Sequence, residues 1–341
     1  MSNVSDLHRE RSREPAEPGP DGTVSGDAGR GRRAMSPWQI PWRGWKDILI
    51  RTYQQFGEDR LLAVAAGVVF YGLLALFPAI TALVSSYALF TKASTINEHI
   101  SMLTGVLPED AVGIVREQVD RVLAKGDVRL GLAFLVSFVL AVWSANGGMK
   151  AIIDALNVVY EEDEKRGFFK LNAVSLAFTF GGLVAVLLAI GSVVALPIVL
   201  STIGLGSITD ALFRIGRWPL LVMTMLVGLA LLYRFGPSRR AARWRWLSVG
   251  GVFATLTWLA GSALLSFYLS NYANYDATYG SLGAAIGLMM WMWMSTIVVL
   301  LGAELNSEIE HQTAADSTVG GDKPLGRRGA KMADTIGEAK A

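Results

Sequence analysis

Residues 277–303 form a run of 27 residues without one charged side chain. As an α-helix this run would be roughly 40 Å long, which exceeds the ~30 Å hydrocarbon core of a bilayer. Directly after it, three acidic residues follow within one short stretch, Glu304, Glu308 and Glu310. The run therefore predicts a membrane-spanning helix with acidic groups at one mouth.

The rest of the chain contains similar runs, and its mean hydropathy of +0.39 with 18% charged residues is typical of an integral membrane protein. Unbroken apolar stretches of about 20 residues or more predict membrane helices. We therefore predict an all-α integral membrane protein, a six-span transmembrane helical bundle over residues 60–311 with amphipathic interfacial helices. The six spans are predicted at about 61–91, 130–149, 171–203, 217–235, 246–271 and 279–303.

Basic residues indicate the orientation of these spans, because short cytoplasmic loops carry an excess of Lys and Arg. Such residues are concentrated before span one, between spans two and three, and between spans four and five, whereas residues 270–281 contain none. We therefore expect a multi-pass protein with both termini in the cytoplasm. A mixed-charge segment at 94–126 then lies outside as short amphipathic helices, which either cover the bundle or gate a cavity.

Three stretches lie outside the predicted bundle. Residues 1–36 and 312–341 are rich in Gly, charged and small residues, so both are expected to be disordered tails. Residues 37–59 interleave Trp38, Trp42 and Trp45 with charged residues, which predicts an amphipathic helix in the membrane interface. A docking helix for a partner is the alternative interpretation of residues 37–59.

Polar side chains at membrane depth are the main candidates for a functional site, because they tend to pair or face water. Asn146, Lys150, Asp154 and Asn157 recur every three to four residues, which places them on one helix face. Lys150 and Asp154 could pair with each other, or Lys150 could meet Glu304 if spans two and six are neighbours. Under the second hypothesis, Glu304→Gln impairs the protein more than Glu310→Gln.

Further candidates complete the predicted polar vestibule and its surroundings. The vestibule is predicted from Tyr71, Asn146, Lys150, Asp154, Asn157, Glu304 and Glu308. Pro78 and Pro197 lie inside predicted spans, where proline removes a helix hydrogen bond and predicts a kink or break. On the outer side, Asn274, Tyr275, Asp276 and Tyr279 form a turn that is either an interfacial aromatic belt or a headgroup-binding site.

The sequence offers little support for enzyme chemistry. Its three histidines, His8, His99 and His311, are far apart, it has no cysteine, and it lacks the HExxH, P-loop and GxSxG motifs. We therefore predict no catalytic residue, no metal, no cofactor and no nucleic-acid partner. Expected partners are membrane lipids, together with envelope proteins or further copies of the chain.

Four blocks carry a family likeness. Residues 65–78, 143–160, 279–283 and 301–308, in this order, resemble the YihY/virulence factor BrkB family of bacterial inner-membrane proteins. The likeness covers roughly Trp45 to Glu310. It implies a six-span protein of the bacterial cytoplasmic membrane, and family members are linked to envelope phenotypes and to a suggested role in moving lipid. Some members have carried the label ribonuclease BN.

Together, the residues and the resemblance favour a transporter-like protein that moves lipid or another envelope amphiphile through the polar vestibule. The alternative is a structural or scaffold protein of the envelope that does not transport. A membrane-bound ribonuclease is the weakest of the three hypotheses, since the chain has no motif for RNA cleavage.

Overall fold

A computed structural model of the chain describes residues 29–90, 120, 127–190, 207–271 and 283–340. Within these residues the fold is helical, with an isolated β-bridge between Ala242 and Thr318 and no β-strand. A 3₁₀ turn at Pro37–Gln39 precedes the first α-helix. The α-helices are α1 Trp42–Glu58, α2 Leu61–Phe90, α3 Asp127–Val159, α4 Phe168–Ile190, α5 Ser207–Phe235, α6 Trp244–Asn271, α7 Gly283–His311 and α8 Lys331–Asp334.

Four of these helices contain a stretch that is long and apolar enough to cross a membrane. These stretches are Leu135–Val159, Phe168–Ala185, Trp244–Leu269 and Ala285–His311, and shorter apolar stretches occur at Leu61–Ala75 and Pro219–Phe235. An α-helix satisfies its own backbone hydrogen bonds, so such segments are stable in lipid. The prediction of a helical membrane protein is confirmed for the described residues, while the count of six spans stays a prediction.

Helix α2 runs through Pro78 and ends at Phe90. The expectation that Pro78 breaks the helix is therefore wrong, although a kink at this position stays a prediction. Proline removes one hydrogen bond, and in membrane helices neighbouring groups and small adjustments of the backbone compensate for that loss. Pro197, the second predicted break, lies outside the described residues.

The helices pack in sequence-adjacent pairs, α2 against α3 and α6 against α7, and α7 also contacts α2. The buried apolar core lies towards one end of the bundle and includes Leu61, Leu156, Tyr233, Leu247 and Leu300. Away from that end, large apolar side chains such as Leu135, Leu256 and Phe267 are exposed. Exposed apolar residues on membrane helices are the surface that lipid covers.

We call the end of the bundle that holds this core the polar end, after the buried charged residues described below. It is formed by the α1–α2 turn, the α3–α4 loop, the α5–α6 loop, the last turns of α7, and residues 312–340, which we call the C-terminal segment. Two of these connections, the α1–α2 turn and the α3–α4 loop, use left-handed backbone at a residue other than glycine, at Arg60 (φ 51°) and Glu161 (φ 52°). Left-handed residues end helices tightly, so the neighbouring helices begin close by.

The C-terminal segment is folded against the polar end, which corrects the expectation of a disordered tail over residues 312–341. Gln312, Thr313 and Ser317 are fully buried. The Gln312 side chain donates to the Arg30 carbonyl at 2.8 Å, and the backbone of Val319 donates to the carbonyl of Ala241 at 2.9 Å. The segment therefore joins regions that are far apart in the chain.

The contacts of Arg328 explain why the C-terminal segment is ordered although its composition predicts disorder. Its guanidinium donates to four backbone carbonyls, those of Lys323, Ala315, Ala333 and Ala314, at 2.6–3.2 Å. Disorder was expected because the segment has few apolar side chains to bury. Polar groups can also order a chain when their hydrogen bonds are complete, and composition does not report this.

The start of the described chain is packed in the same way. Arg32 donates to the Gly337 carbonyl at 2.6 Å, and Ala34 is buried. Residues 29–36 therefore also depart from the expected disorder of residues 1–36, whereas residues 1–28 lie outside the described residues.

Helix α1 covers much of the stretch from 37 to 59 that was expected to form an amphipathic helix. Its buried side includes Asp47, Ile48 and Arg51, and it packs against α7. Its opposite side exposes Trp42 and Tyr53. Its placement in the membrane interface stays a prediction.

Candidate functional site

The last turns of α7 lie at the centre of the polar end. Residues 303–310 of this helix are all buried. Burial on all sides follows from close packing: Gly302 faces Gly250 of α6, where a Cβ on either glycine would collide with the backbone carbonyl of the other. Small residues at such contacts let membrane helices approach closely.

Asn306 and Ser307 fasten α7 to two other helices. The Asn306 side chain accepts from the Gly250 N–H at 2.8 Å and donates to the Leu247 carbonyl at 3.2 Å. Ser307 donates to the carbonyl of Val159 at 3.0 Å. Helices α3 and α7, which contain the predicted second and sixth spans, are therefore in contact at this end.

Glu308 is neutralised by an arginine from α1. Arg51 donates through Nε to its carboxylate at 2.5 Å and through Nη2 to Gln312 Oε1 at 2.8 Å, while Nη1 reaches the carbonyl of Glu338 at 2.9 Å. Both ion-pair partners are buried. This contact ties α1, α7 and the C-terminal segment together.

Glu310 is neutralised by an arginine from the α5–α6 loop. Arg239 donates to both carboxylate oxygens at 2.7 and 3.0 Å, and both side chains are fully buried. Ser317 donates to the same carboxylate at 2.8 Å, and the guanidinium lies 3.9 Å from the Tyr160 ring. A bidentate pair with these added contacts satisfies both charges.

Glu304 differs from its two neighbours on the same helix. Its side chain is fully buried, and neither carboxylate oxygen accepts a hydrogen bond from any described residue. The charged groups that act on it are the carboxylates of Asp59, Glu308 and Glu161. The polar end thus contains a buried carboxyl group that has no hydrogen-bond partner among the described residues and on which nearby carboxylates act.

Asp59 belongs to this acidic cluster and lies in the α1–α2 turn. Its half-buried position, followed by the charges of Glu161, Glu58 and Glu308, raises the pKa of the Asp59 carboxyl to about 6. Burial disfavours the charged form, and nearby carboxylates do the same. The cluster is therefore sensitive to protons near neutral pH.

The structure places the other predicted vestibule residues at different points along α2 and α3. The Tyr71 ring packs on Gly147 and Gly148, where a Cβ at Gly147 would lie 3.2 Å from it. Asn146 is buried, and its side-chain oxygen has no hydrogen-bond partner among the described residues. Tyr71 and Asn146 thus lie at the α2–α3 contact, deeper than the acidic cluster.

Asn157, Lys150 and Asp154 lie on the last turns of α3. Asn157 accepts from the Ser238 N–H at 2.7 Å and donates to Glu164 at 3.1 Å, so its amide joins two loops. Lys150 is half-buried and Asp154 is exposed. Among the described residues, Lys150 forms no ion pair with Asp154 or with Glu304, and the charged groups that act on Glu304 are carboxylates.

Some of the predicted functional residues lie outside the part of the chain that the structure describes. The outer turn with Asn274, Tyr275, Asp276 and Tyr279 lies outside the described residues, as does the segment 94–126 apart from residue 120.

Arg51 and Arg239 belong to the basic residues that indicate the orientation of the spans, and the sequence does not predict their buried ion pairs. No local pattern reveals those pairs, because their partners lie 257 and 71 residues away. Within the described residues, no group of three or more His, Asp or Glu side chains is arranged to hold a metal ion.

Comparison with known proteins gives a consistent result. The family described as Virulence factor BrkB matches residues 52–325. A ribonuclease-like protein, YfkH, of Bacillus subtilis (strain 168) is 31% identical over 266 residues, covering 77% of this chain and 93% of that protein. A UPF0761 membrane protein of Idiomarina loihiensis is 23% identical over 284 residues, covering 80% of this chain and 95% of that protein.

Some relatives are longer than this chain. A UPF0761 membrane protein of Delftia acidovorans is 27% identical over 268 residues, which cover 77% of this chain but 61% of that protein. No solved structure matches the chain.

Proposed function

Since the chain belongs to the Virulence factor BrkB family of membrane proteins, we propose that it is a transporter-like protein that moves lipid or another envelope amphiphile. The observation that carries this proposal is Glu304, a fully buried carboxyl group without a hydrogen-bond partner among the described residues. Ionisable residues inside membrane bundles tend to mark substrate, ion or proton pathways. The inner membrane and a cytoplasmic polar end are part of the proposal.

The surroundings of Glu304 suggest what the group does. A charged carboxylate without a partner costs several kcal/mol when buried, so it requires a proton, a cation or a rearrangement that exposes it. The neighbouring Asp59, Glu161 and Glu308 strengthen that requirement. Proton or cation exchange at this cluster would then drive a change in helix packing at the polar end, and that change would open a route for the amphiphile.

Reconstitution tests the proposal directly. Liposomes that contain the purified chain and a fluorescent phospholipid are treated with a membrane-impermeant quencher, and the rate of lipid exchange between leaflets is measured. We expect the wild-type chain to accelerate exchange over protein-free liposomes, and Glu304→Gln to reduce this acceleration about tenfold or more. No acceleration by the wild-type chain would overturn the transport function.

Glu338→Gln is the matched control for this experiment. The Glu338 side chain is 83% exposed and pairs with Lys340 at 3.0 Å, so this substitution removes one carboxylate charge. It keeps the backbone carbonyl of residue 338, which accepts from Arg51. Glu310→Gln, the comparison that the sequence alone suggested, is unsuitable because it would break the buried pair with Arg239. Equal rates for Glu304→Gln and the wild-type chain would remove Glu304 from the mechanism.

A scaffold is the second candidate function, favoured by the closed packing of the polar end. The C-terminal segment bonds to α1, the α3–α4 loop and the α5–α6 loop, for example through Lys331, which pairs with Glu161 at 2.6 Å. A scaffold tolerates Glu304→Gln as long as the chain folds. Complementation of a deletion strain with this variant, scored by envelope sensitivity to detergent, separates the two functions. A ribonuclease function is suggested by the name of the Bacillus relative alone.

A further inference from the structure

A pocket at the polar end is strongly basic. It has a volume of about 410 Å³ and lies between α4, the end of α5, the α5–α6 loop and Gly329 of the C-terminal segment. Six of the residues that line it are cationic, and none is acidic. These six are Lys165, Arg166, Lys170, Arg234, Arg239 and Arg240.

Half of these cations are already neutralised by carboxylates behind the pocket wall. Lys165 pairs with Glu162, Arg166 with Glu164, and Arg239 with Glu310, at 2.6, 2.6 and 2.7 Å. The hydrogen bonds from Arg166 lower the pKa of the Glu164 carboxyl to about 2, so that pair stays charged at neutral pH. Among the described residues, Lys170, Arg234 and Arg240 have no such partner, which leaves the pocket with an excess of positive charge.

Arg234 packs against two aromatic rings, while two of its three guanidinium nitrogens have no hydrogen-bond partner among the described residues. Its guanidinium lies 4.2 Å from the Trp244 ring and 5.3 Å from the Phe235 ring. Its Nε and Nη1 are buried without a hydrogen-bond partner among the described residues, as are Nη1 of Arg240 and Nε of Arg239. Buried donors nearly always have a partner, and arginine donors match phosphate oxygens closely.

An apolar groove adjoins this basic pocket. The groove, with a volume of about 390 Å³, runs between α5 and α6 and is lined by residues such as Leu231, Leu247 and Val252. Trp244 lines the groove and also carries Arg234, which lines the pocket. The two sites therefore share a wall, with the basic pocket at the helix end and the groove along the membrane helices.

Exposed aromatic residues indicate the depth of the pocket in the membrane. Phe168 and Phe169, next to Lys170 at the start of α4, are 74% and 87% exposed. Aromatic side chains concentrate at the level of the lipid headgroups. A phosphate in the pocket would lie at this level, and an acyl chain below it could follow the groove.

We propose that the basic pocket binds the phosphate of an anionic phospholipid headgroup, with one acyl chain of the same lipid in the adjoining groove. Basic pockets between membrane helices are known to bind anionic headgroups. The site goes beyond the proposed transport function, because a bound lipid could equally hold the bundle together or regulate it.

The test measures lipid binding by the intact chain. Purified protein in neutral detergent is titrated with phosphatidylglycerol, and binding is followed by native mass spectrometry. The variant carries Arg234→Gln and Arg240→Gln, and we expect its affinity to fall about tenfold or more, since each hydrogen bond to a charged group contributes about one decade. Affinity equal to that of the wild-type chain would overturn the site.

Two further variants control for nonspecific charge effects and for misfolding of the double variant. Arg245→Gln removes a charge from an exposed residue of the same α5–α6 region and is expected to leave binding unchanged. Arg240 forms no ion pair with the other described residues, so Arg240→Gln alone is the variant to use if the double variant fails to fold. An equal loss with Arg245→Gln would show nonspecific charge attraction and overturn the site.

The groove and the source of the phosphate are tested separately. Gly251 lines the groove, and a Cβ at this position meets no atom within 4 Å, so Gly251→Leu adds an apolar side chain to the groove. We expect this variant to weaken phosphatidylglycerol binding severalfold, and we expect inorganic phosphate at millimolar concentration to compete poorly. Full competition by inorganic phosphate, together with no effect of Gly251→Leu, would show a site for free phosphate and overturn the lipid proposal.

Failure of this site and failure of transport give different results. If the chain exchanges lipid between leaflets but the double arginine variant still binds phosphatidylglycerol normally, the headgroup site is wrong and transport stands. If binding is lost in the variant while the wild-type chain shows no exchange, the site stands and transport is wrong.

Discussion

At the residue scale, three glutamates on the last turns of α7 have three different environments. Glu308 pairs with Arg51, Glu310 pairs with Arg239, and Glu304 is buried without a partner among the described residues. They lie within seven residues of one helix, so their differences come from the elements that face them. Arginines from α1 and the α5–α6 loop pair with Glu308 and Glu310, whereas the charged groups that act on Glu304 are carboxylates.

Asp59 provides a pH prediction at this scale. Its folded-state pKa of about 6 is above its ordinary value of 3.8, so the folded protein holds this proton more tightly than the unfolded chain does. The stabilising contribution of Asp59 is therefore complete below about pH 4 and is lost as the pH rises through 6. We expect Asp59→Asn to flatten this part of the stability profile and to raise Tm at pH 7.

Thermal unfolding in detergent between pH 4.5 and 7.5 measures this effect. Asp163→Asn serves as the control, because Asp163 is an exposed acid of the α3–α4 loop. A parallel shift of the Asp59→Asn and wild-type curves, with no change in slope, would contradict the role of Asp59.

At the element scale, the contact between α6 and α7 depends on glycine at particular positions. Gly250 faces the Gly302 carbonyl and lies against Asn306, whereas the next residue, Gly251, faces open space. Two adjacent glycines therefore have opposite roles. Sequence alone could assign both of them only to helix packing in general.

This difference predicts opposite results for the same substitution. Gly250→Ala should lower the free energy of unfolding by about 1–3 kcal/mol, because the added methyl group forces the helices apart. Gly251→Ala should change it by less than about 0.5 kcal/mol, since the methyl group meets no neighbour. Denaturant unfolding in mixed micelles measures both values, and equal effects would argue against this helix contact.

The C-terminal segment gives a second prediction for an element. Because Arg328 holds four carbonyl groups, Arg328→Gln should increase local opening of the segment about tenfold or more. Trypsin cleavage after Lys331, quantified by mass spectrometry, reports this opening. Arg327→Gln is the control because Arg327 is exposed, and rapid cleavage of the wild-type chain at Lys331 would contradict the folded segment.

At the scale of the whole molecule, the described helices meet at the polar end and expose apolar side chains along their lengths. The six-span arrangement predicts that residues 274 and 338 lie on opposite sides of the membrane. The chain has no cysteine, so single cysteines can report the side of each position.

We expect Asn274→Cys to react with a membrane-impermeant maleimide in intact spheroplasts, and Glu338→Cys to react only after lysis. Reaction of both positions in intact cells would contradict a membrane span between residues 274 and 338. A cysteine-free chain under the same treatment measures background labelling.

Local sequence signals are enough to predict a helical membrane protein and to place acidic residues at the end of α7. Both conclusions rest on local properties: a long apolar run closes its own backbone hydrogen bonds, and its charged ends are visible in the run itself. The helix bounds around 246–271 and the family likeness follow from the same local signals.

Which charges pair, and whether the C-terminal segment folds, depends on the tertiary packing of the helices. Arg51 and Glu308 are 257 residues apart, and Gln312 reaches Arg30 across 282 residues. Pairing at such separations depends on how the helices pack, and no local periodicity encodes it. For the same reason Glu304, which resembles Glu308 and Glu310 in sequence, became the one of the three without a partner among the described residues.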